Sequence, residues 1–236
     1  MGQEIAVLLA AGLGSRMRPL TDKIPKPLVC VNGVPLIETM IQGLRIRGVS
    51  KIYIVIGYKK ERFAYLETQY KEVVLVENKE YQLKNNISSV YAVRNFLGNN
   101  PCFICEADIY VRNFCVFDSV FTSSVYCGKM VNGYSDDWIF EMDGPRIKKI
   151  RKGGSDVYNM AGVAYLKEKD TQLLKRQIER IYEIPGSEKL FWDEVMDQLL
   201  DKIELGVKEV SSNDLVEIDT IEELAELDEG YKMWLK

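Results

Sequence analysis

The chain contains no histidine. That absence excludes a Ser-His-Asp or Cys-His nucleophile, a histidine general base and a His-ligated zinc site. Chemistry here must rest on carboxylates, lysine, arginine, backbone amides or a metal. Positive charge is not in excess either: 31 Lys+Arg face 35 Asp+Glu, a net charge of −4. Without a basic block the chain is a poor candidate for bulk nucleic acid. No stretch reaches the roughly 18 apolar residues that span a bilayer. The short apolar run at residues 5–11 follows an acid and lacks a basic flank, so it makes a weak signal peptide. Ala6 stands where a myristoylation signal on Gly2 wants Ser or Thr. These absences predict a cytoplasmic protein. The five cysteines (Cys30, Cys102, Cys105, Cys115, Cys127) are odd in number, which predicts reduced thiols. Cys102 and Cys105 fall in a strand-like segment, where residues three apart point to opposite faces and cannot share a metal.

What is present is the composition of a globular protein: 236 residues, 47% hydrophobic and 28% charged. A chain of this length buries roughly 70% of its unfolded surface, enough for a large core. No repeat, low-complexity tract or long linker interrupts it. The first half alternates strand-like and helix-like segments. Strands are predicted at 5–10, 51–57, 72–77 and 102–107, with helices at 35–47, 61–70 and 86–97. This β-α-β-α-β-α-β series predicts a parallel sheet with helices on both faces, an α/β fold. In the second half, strand-like segments at 123–131, 138–142, 146–151 and 160–166 suggest that the sheet becomes mixed. Helices are expected at 169–182, 188–201 and from Thr220, with a last strand at 204–210. Ligands of such sheets sit at the carboxyl ends of the strands, so the loops after Leu9, Gly57, Glu77, Ala107 and near Val216 are the ones to watch.

The most distinctive segment is residues 8–28, LLAAGLGSRMRPLTDKIPKPL. A hydrophobic strand runs into small residues and two glycines, then into Arg16, Arg18, Lys23 and Lys26. Small residues let a ligand approach the backbone, free amides bind phosphate oxygens, and the basic side chains add charge-assisted contacts. The composition suits a nucleoside triphosphate. A dinucleotide fingerprint needs a glycine where Met17 stands, and no Walker A run G-K-[ST] exists. Pro19, Pro25 and Pro27 stop the segment from continuing as a helix. It is a long, basic, proline-stiffened loop.

The run A-A-G-x-G-S-R-x-x-P-x-T followed by P-K-P-L resembles the signature of the nucleotidyltransferases that make NDP-sugars and CDP-alcohols. The resemblance extends from Ile5 to the C-terminal helix. It implies a single-domain, Rossmann-like three-layer sandwich with a mostly parallel mixed sheet. Residues 1–122 would form the nucleotide-binding half and 123–236 the acceptor-binding half. It further implies that Leu9, Ala10, Ala11, Gly12, Gly14, Ser15 and Arg16 wrap the triphosphate. Lys26 would contact the phosphates or the attacking group.

Glu106-Ala107-Asp108 ends a buried strand, where a carboxylate is costly without a cation beside it. On its own Asp108 reads as a turn residue; the resemblance implies that it binds Mg²⁺. Asp219 precedes Thr220 and Glu223, which form a T-x-x-E capping box. The resemblance places a second metal ligand at the same position, and the two roles are compatible. Magnesium needs only one or two protein carboxylates plus phosphate oxygens. Asn86 and Ser89 suit base and ribose recognition and equally suit helix capping. The resemblance implies that this region closes over the nucleotide.

Asp136-Asp137-Trp138 and Phe191-Trp192-Asp193 place aromatics beside acids. Such groups hold trimethylammonium by cation–π attraction, and they also serve sugar sites or simply a core. With the E-I-D-T ending, these elements look like the bacterial choline-phosphate cytidylyltransferases. That likeness implies CTP and phosphocholine as substrates. It implies an acceptor site of Trp138, Phe191, Trp192 and Asp193, and Lys26, Arg16 and Asp108 as the catalytic set. A phenylalanine stands at 191 where the likeness leads one to expect a tyrosine. Other acceptors, 2-aminoethylphosphonate, phosphoethanolamine or a sugar 1-phosphate, stay open, as does a regulatory nucleotide-binding subunit on the same fold. The expected partners are small molecules, with no nucleic acid and no membrane insertion, and the expected assembly is a monomer or homodimer.

Overall fold

The computed structural model describes residues 3–235; Gly2 lies outside them. Strand β1 (Ile5–Ala10) is buried along its whole length. Its even and odd residues serve opposite faces. Ala6, Leu8 and Ala10 pack in one core, which also holds Ile37, Met40, Ile41 and Leu44. Ile5, Val7 and Leu9 pack in the other, with Ile87, Val90, Leu174 and Trp192. A continuous apolar run is what a central strand covered on both faces requires.

After β1 come the small antiparallel pair β2 (Cys30–Val31) and β3 (Val34–Pro35), then helix α1 (Leu36–Arg47), ended by Gly48 at φ +85. Strand β4 (Lys51–Ile56), helix α2 (Tyr65–Gln69), strand β5 (Val73–Glu77), helix α3 (Ile87–Ala92) and strand β6 (Cys102–Glu106) follow. Strand β7 (Ile109–Val111) leads to the long strands β8 (Ser124–Asp143) and β9 (Arg146–Leu166). The chain closes with α4 (Glu168–Ile181), α5 (Trp192–Asp197), β10 (Leu205–Glu209), β11 (Leu215–Glu217) and α6 (Ile221–Leu227).

Seven strands form one sheet in the order β10-β8-β9-β6-β1-β4-β5. β1, β4, β5 and β6 are parallel, and β9 joins β6 antiparallel. The chain moves outward from β1 through β4 to β5, then crosses back to β6 on the other side of β1. The order therefore reverses between β1 and β6, the place where such sheets open a crevice at their carboxyl ends. The expected three-layer α/β sandwich with a mostly parallel mixed sheet is the fold observed. Cys102 and Cys105 do face opposite cores.

Three expectations need correction. The paired segments expected at 123–142 and 146–166 are two unbroken strands, β8 and β9, joined at Gly144. Their middles are polar and glycine-rich and stand partly exposed, so hydrophobic alternation fades there. The helix expected at 188–201 is short. Leu190 and Phe191 are extended, and Glu194 accepts the Phe191 backbone N–H at 2.8 Å, which starts α5 only at Trp192. The helix expected at 86–97 breaks after Ala92 and continues as a 3-10 turn at Arg94–Phe96.

Candidate active site

The loop after β1 is held from below. Met17 is fully buried and packs with Leu20, Leu36 and Ile218 in a small satellite core. The Thr21 hydroxyl donates to the Gly14 carbonyl at 2.8 Å. Gly14 has φ +62, and a Cβ there would lie 2.9 Å from Lys26 Cβ, so a side chain is excluded by conformation and by space. A Cβ on Gly12 would meet nothing within 4 Å. This glycine therefore keeps the mouth of a cavity open rather than relieving a clash. That cavity, about 270 Å³, is walled by Leu9, Ala10, Ala11, Gly12, Gly14, Ser15, Arg16, Asn86 and Ser89. The structure thus brings together every residue expected to meet the nucleotide, and Lys26, Pro27, Glu106, Asp108 and Asp219 complete the wall.

Lys26 is buried, and its ammonium donates to Asp108 Oδ2 and Asp219 Oδ1, each at 2.7 Å. Burial pulls its pKa down, but the two carboxylates more than offset this and the net shift is upward. Arg16 pairs with the other oxygen of Asp219 at 2.6 Å, from a largely exposed position. Register explains why residues so distant in sequence meet. β7 follows Asp108 and pairs antiparallel with β11, which precedes Asp219, placing Ile109 opposite Glu217. The Ile218 amide donates to the Asp108 carbonyl at 3.3 Å. Thr220 and Glu223 form the expected capping box, and Glu223 also accepts the Asp219 amide at 2.6 Å. Asp219 is thus held by the cap of α6 while its carboxylate faces the cavity.

The sequence places Glu217 in an acid-rich stretch, Glu217 to Glu229, that reads as the polar face of the last helix, but Glu217 ends β11 and joins the site. One oxygen each from Asp108, Glu217 and Asp219 lie within 4.8 Å of one another. The Glu217 side chain reaches solvent, yet the protein crowded around it, then the charges of Asp108 and Asp219, push its pKa up to about 8. Residues two apart on an extended chain share a side, so the V-E-I-D spacing already carried this signal. An all-carboxylate set suits a hard divalent cation. The Lys26 ammonium among these oxygens shows that the cluster demands positive charge.

Beyond Gly12 lies a smaller cavity of about 120 Å³ under the loop between β5 and α3. The buried Asn78 amide donates to the Ser88 hydroxyl at 2.8 Å and to the Ser89 hydroxyl at 3.1 Å. Tyr81 and Lys84 close its outer side. Gly57 makes room for Tyr81, because a Cβ there would lie 2.7 Å from that ring. Asn78 and Tyr81 escaped the sequence reading; polar residues in a loop carry no periodic signal. Ser88 stands with Asn85, Asn86 and Ser89 among the amides and hydroxyls at the helix start that the sequence offers for base and ribose.

On the other side of Asp108 opens a cavity of about 410 Å³. Trp138, Phe191 and Asp193 line it, with Trp138 and Phe191 edge-on at 5.9 Å between ring centroids. Asp193 is buried and accepts from the Tyr126 hydroxyl at 2.9 Å. Burial pushes the Asp193 carboxyl up to about 7, although the Tyr126 hydrogen bond pulls the other way. Glu106, in the same wall, is also raised, by burial and then by Asp108, Asp193 and Glu217. Trp192 is not in this wall. It is 1% exposed and stacks on Tyr126 with centroids 5.8 Å apart, so it belongs to the core beneath the cavity. The chain is extended at Phe191 and enters α5 at Trp192, which sends the neighbouring rings to different places. The Trp192 amide donates to Asn86 Oδ1 at 2.8 Å, tying α5 to the wall of the 270 Å³ cavity.

The fold, the glycine loop and the carboxylates at the switch point define a nucleotidyltransferase. Residues 5–123 match the family model described as Nucleotidyl transferase. The chain is 44% identical to a 2-aminoethylphosphonate cytidylyltransferase of Lancefieldella rimae, an alignment covering 98% of this chain and 94% of that one. It is 32% identical to a choline-phosphate cytidylyltransferase of Streptococcus pneumoniae, over 96% of this chain and 98% of the other. A solved structure of CTP:phosphocholine cytidylyltransferase from that organism superposes with a TM-score of 0.87 at 31% identity, covering 96% and 98% of the two chains. The chain belongs to the nucleotidyltransferase family, in its cytidylyltransferase branch. Among the described residues no helix is long and apolar enough to cross a membrane.

Proposed function

We propose that the protein transfers CMP from CTP to a small aminoalkyl phosphonate, 2-aminoethylphosphonate, and releases pyrophosphate. The observation that carries the choice of acceptor is the make-up of the 410 Å³ cavity: a buried carboxylate, further acids, and three aromatic side chains, of which Trp138 and Phe191 meet edge to face and Tyr126 is 1% exposed with its hydroxyl on Asp193. A primary ammonium has N–H donors for Asp193 and Asp137. A trimethylammonium has none and needs aromatic faces, and Trp192 does not offer one. The relative from L. rimae supports the same acceptor. Phosphocholine is the second reading, favoured by the Trp138–Phe191 pair and by the S. pneumoniae relative.

The acceptor oxygen attacks the α-phosphorus of CTP in line. A new P–O bond forms as the bond to the β-phosphate bridging oxygen breaks, and that oxygen leaves with the electron pair on pyrophosphate. The acceptor is already ionised, so no general base is required, consistent with a chain that has no histidine. Catalysis is positioning and charge neutralisation. The amides of the Gly12–Gly14 loop and Arg16 hold the leaving pyrophosphate. Lys26, aimed by its two aspartates, stabilises charge on the α-phosphate oxygens. Asp108, Glu217 and Asp219 fit a magnesium ion, which when bound neutralises phosphate charge. Asn78, Ser88 and Ser89 face the base and ribose. The reaction belongs in the cytoplasm, where nucleoside triphosphates are found.

Pyrophosphate release with Mg²⁺, crossing the four nucleoside triphosphates with 2-aminoethylphosphonate, phosphoethanolamine, phosphocholine and glucose 1-phosphate, tests this. The highest kcat/KM is expected for CTP with 2-aminoethylphosphonate. A preference for phosphocholine would replace the acceptor and keep the rest. Turnover of the sugar phosphate alone, or of none of the pairs, would overturn the proposal.

A further inference from the structure

We propose that Lys152 is a specificity-determining residue of the acceptor cavity: a tethered cation that covers the Trp138 ring and discriminates against quaternary ammonium head groups. Lys152 and Trp138 both line the cavity, and they are cross-strand partners on β9 and β8. Their adjacency along the arm is therefore set by strand pairing, at a point where the register shifts on either side of Trp138. The Lys152 ammonium lies 5.4 Å from the centroid of the Trp138 ring, inside the roughly 6 Å range of cation–π attraction.

That face is what a trimethylammonium would have to use. Phe191 and Trp138 meet edge to face, and Tyr126 and Trp192 are each 1% exposed, withdrawn beneath the cavity. Two cations sharing one ring repel each other, so a quaternary head group must first displace Lys152 into solvent. A primary ammonium escapes the competition, because Asp193 and Glu106 lie in the same cavity away from any need for the ring. The other cation in the cavity wall, Arg16, is engaged by Asp219 at 2.6 Å and belongs to the phosphate side. Lys152 thus sets selectivity by occupying a surface, not by touching the reacting atoms.

This inference rests on the assignment of that cavity to the acceptor. Its test compares wild type with Lys152→Met, which keeps a stem and removes the charge, and with Lys152→Arg, which keeps the charge. KM and kcat are measured for 2-aminoethylphosphonate, phosphocholine and CTP. In Lys152→Met the KM for phosphocholine should fall about three- to tenfold relative to that for 2-aminoethylphosphonate, the size of one cation–π contact. The KM for CTP should stay within about twofold, and Lys152→Arg should keep the wild-type ratio. An unchanged ratio overturns the proposal. So does an equal rise in KM for both acceptors, which would make Lys152 a ligand of the acceptor's anionic end. Because each readout is variant against wild type, a wild type that prefers phosphocholine defeats the acceptor reading but not this one. Calorimetric titration with tetramethylammonium supplies the same comparison without turnover. Tighter binding to Lys152→Met supports the inference, and equal binding overturns it.

Discussion

Lys26 is placed where a buried ammonium is tolerable only because two carboxylates meet it at 2.7 Å. Asp108 and Asp219 are therefore bound to Lys26 in charge as well as in space, and loss of one aspartate leaves Lys26 with the other. Asp108→Ala should leave the protein folded and lower kcat/KM by about 100-fold or more, since it removes a preorganised charge at the reacting phosphate. Pyrophosphate release checks the rate and circular dichroism the fold; near wild-type turnover would remove Asp108 from the site. Lys26 and the glycine loop were legible in the sequence because they belong to one contiguous, compositionally unusual segment; Asp108 alone read as a turn residue and was singled out only by the family resemblance. Tyr126 and Lys152 were not, because each reaches its cavity through long-range strand pairing that no local pattern encodes; Asn78 lies in a loop without a period, and the one local sign of Glu217 was its two-residue spacing from Asp219. Trp192 was misplaced for a related reason. An aromatic next to an acid looks alike in a wall and in a core, and only the extended-to-helical change at Phe191 decides which ring faces the cavity.

The elements that carry the site are short, and their ends matter more than their lengths. α6 begins at Thr220, whose hydroxyl accepts the Glu223 amide at 3.2 Å while Glu223 accepts the Asp219 and Thr220 amides. Removing the cap with Thr220→Ala should cost about 1 kcal/mol, a fall in Tm of roughly 2–4 °C for a chain of this size. Because the same Glu223 holds the Asp219 backbone, the variant should also lose activity, by more than the small stability change explains. Thermal unfolding and kcat/KM together test this; an unchanged kcat/KM would show that the cap does not position Asp219. At this scale the parallel core strands were readable, since buried runs and helical spacing are strong signals. The β7–β11 pair was not, because strands of three residues carry too few side chains to show a period. The β8–β9 arm was read as fragments because its exposed middle drops the alternation.

At the scale of the molecule, the sheet's reversal between β1 and β6 brings basic loop and acidic strand ends together, and the acids outnumber the cations around the 410 Å³ cavity. The free protein holds there carboxyls that resist ionisation. Asp193 is raised from 3.8 to about 7 by burial. The unfolded chain ionises this group first, so the stability it contributes is complete below 3.8 and is lost as pH rises to about 7. Asp193→Asn keeps an acceptor for the Tyr126 hydroxyl and removes the ionisation. It should flatten the decline in Tm between those pH values and stabilise the free protein at pH 8 by an amount on the order of 2–4 kcal/mol. Binding runs the other way. A cationic head group selects the ionised carboxylate, so the acceptor KM should fall as pH rises through about 7 while the KM for CTP changes little. In Asp193→Asn that pH dependence should vanish and the acceptor KM stay high. Steady-state kinetics of both enzymes from pH 6 to 8 decides between this linkage and a purely structural Asp193: a KM that keeps its pH dependence in the variant would assign the effect to another group.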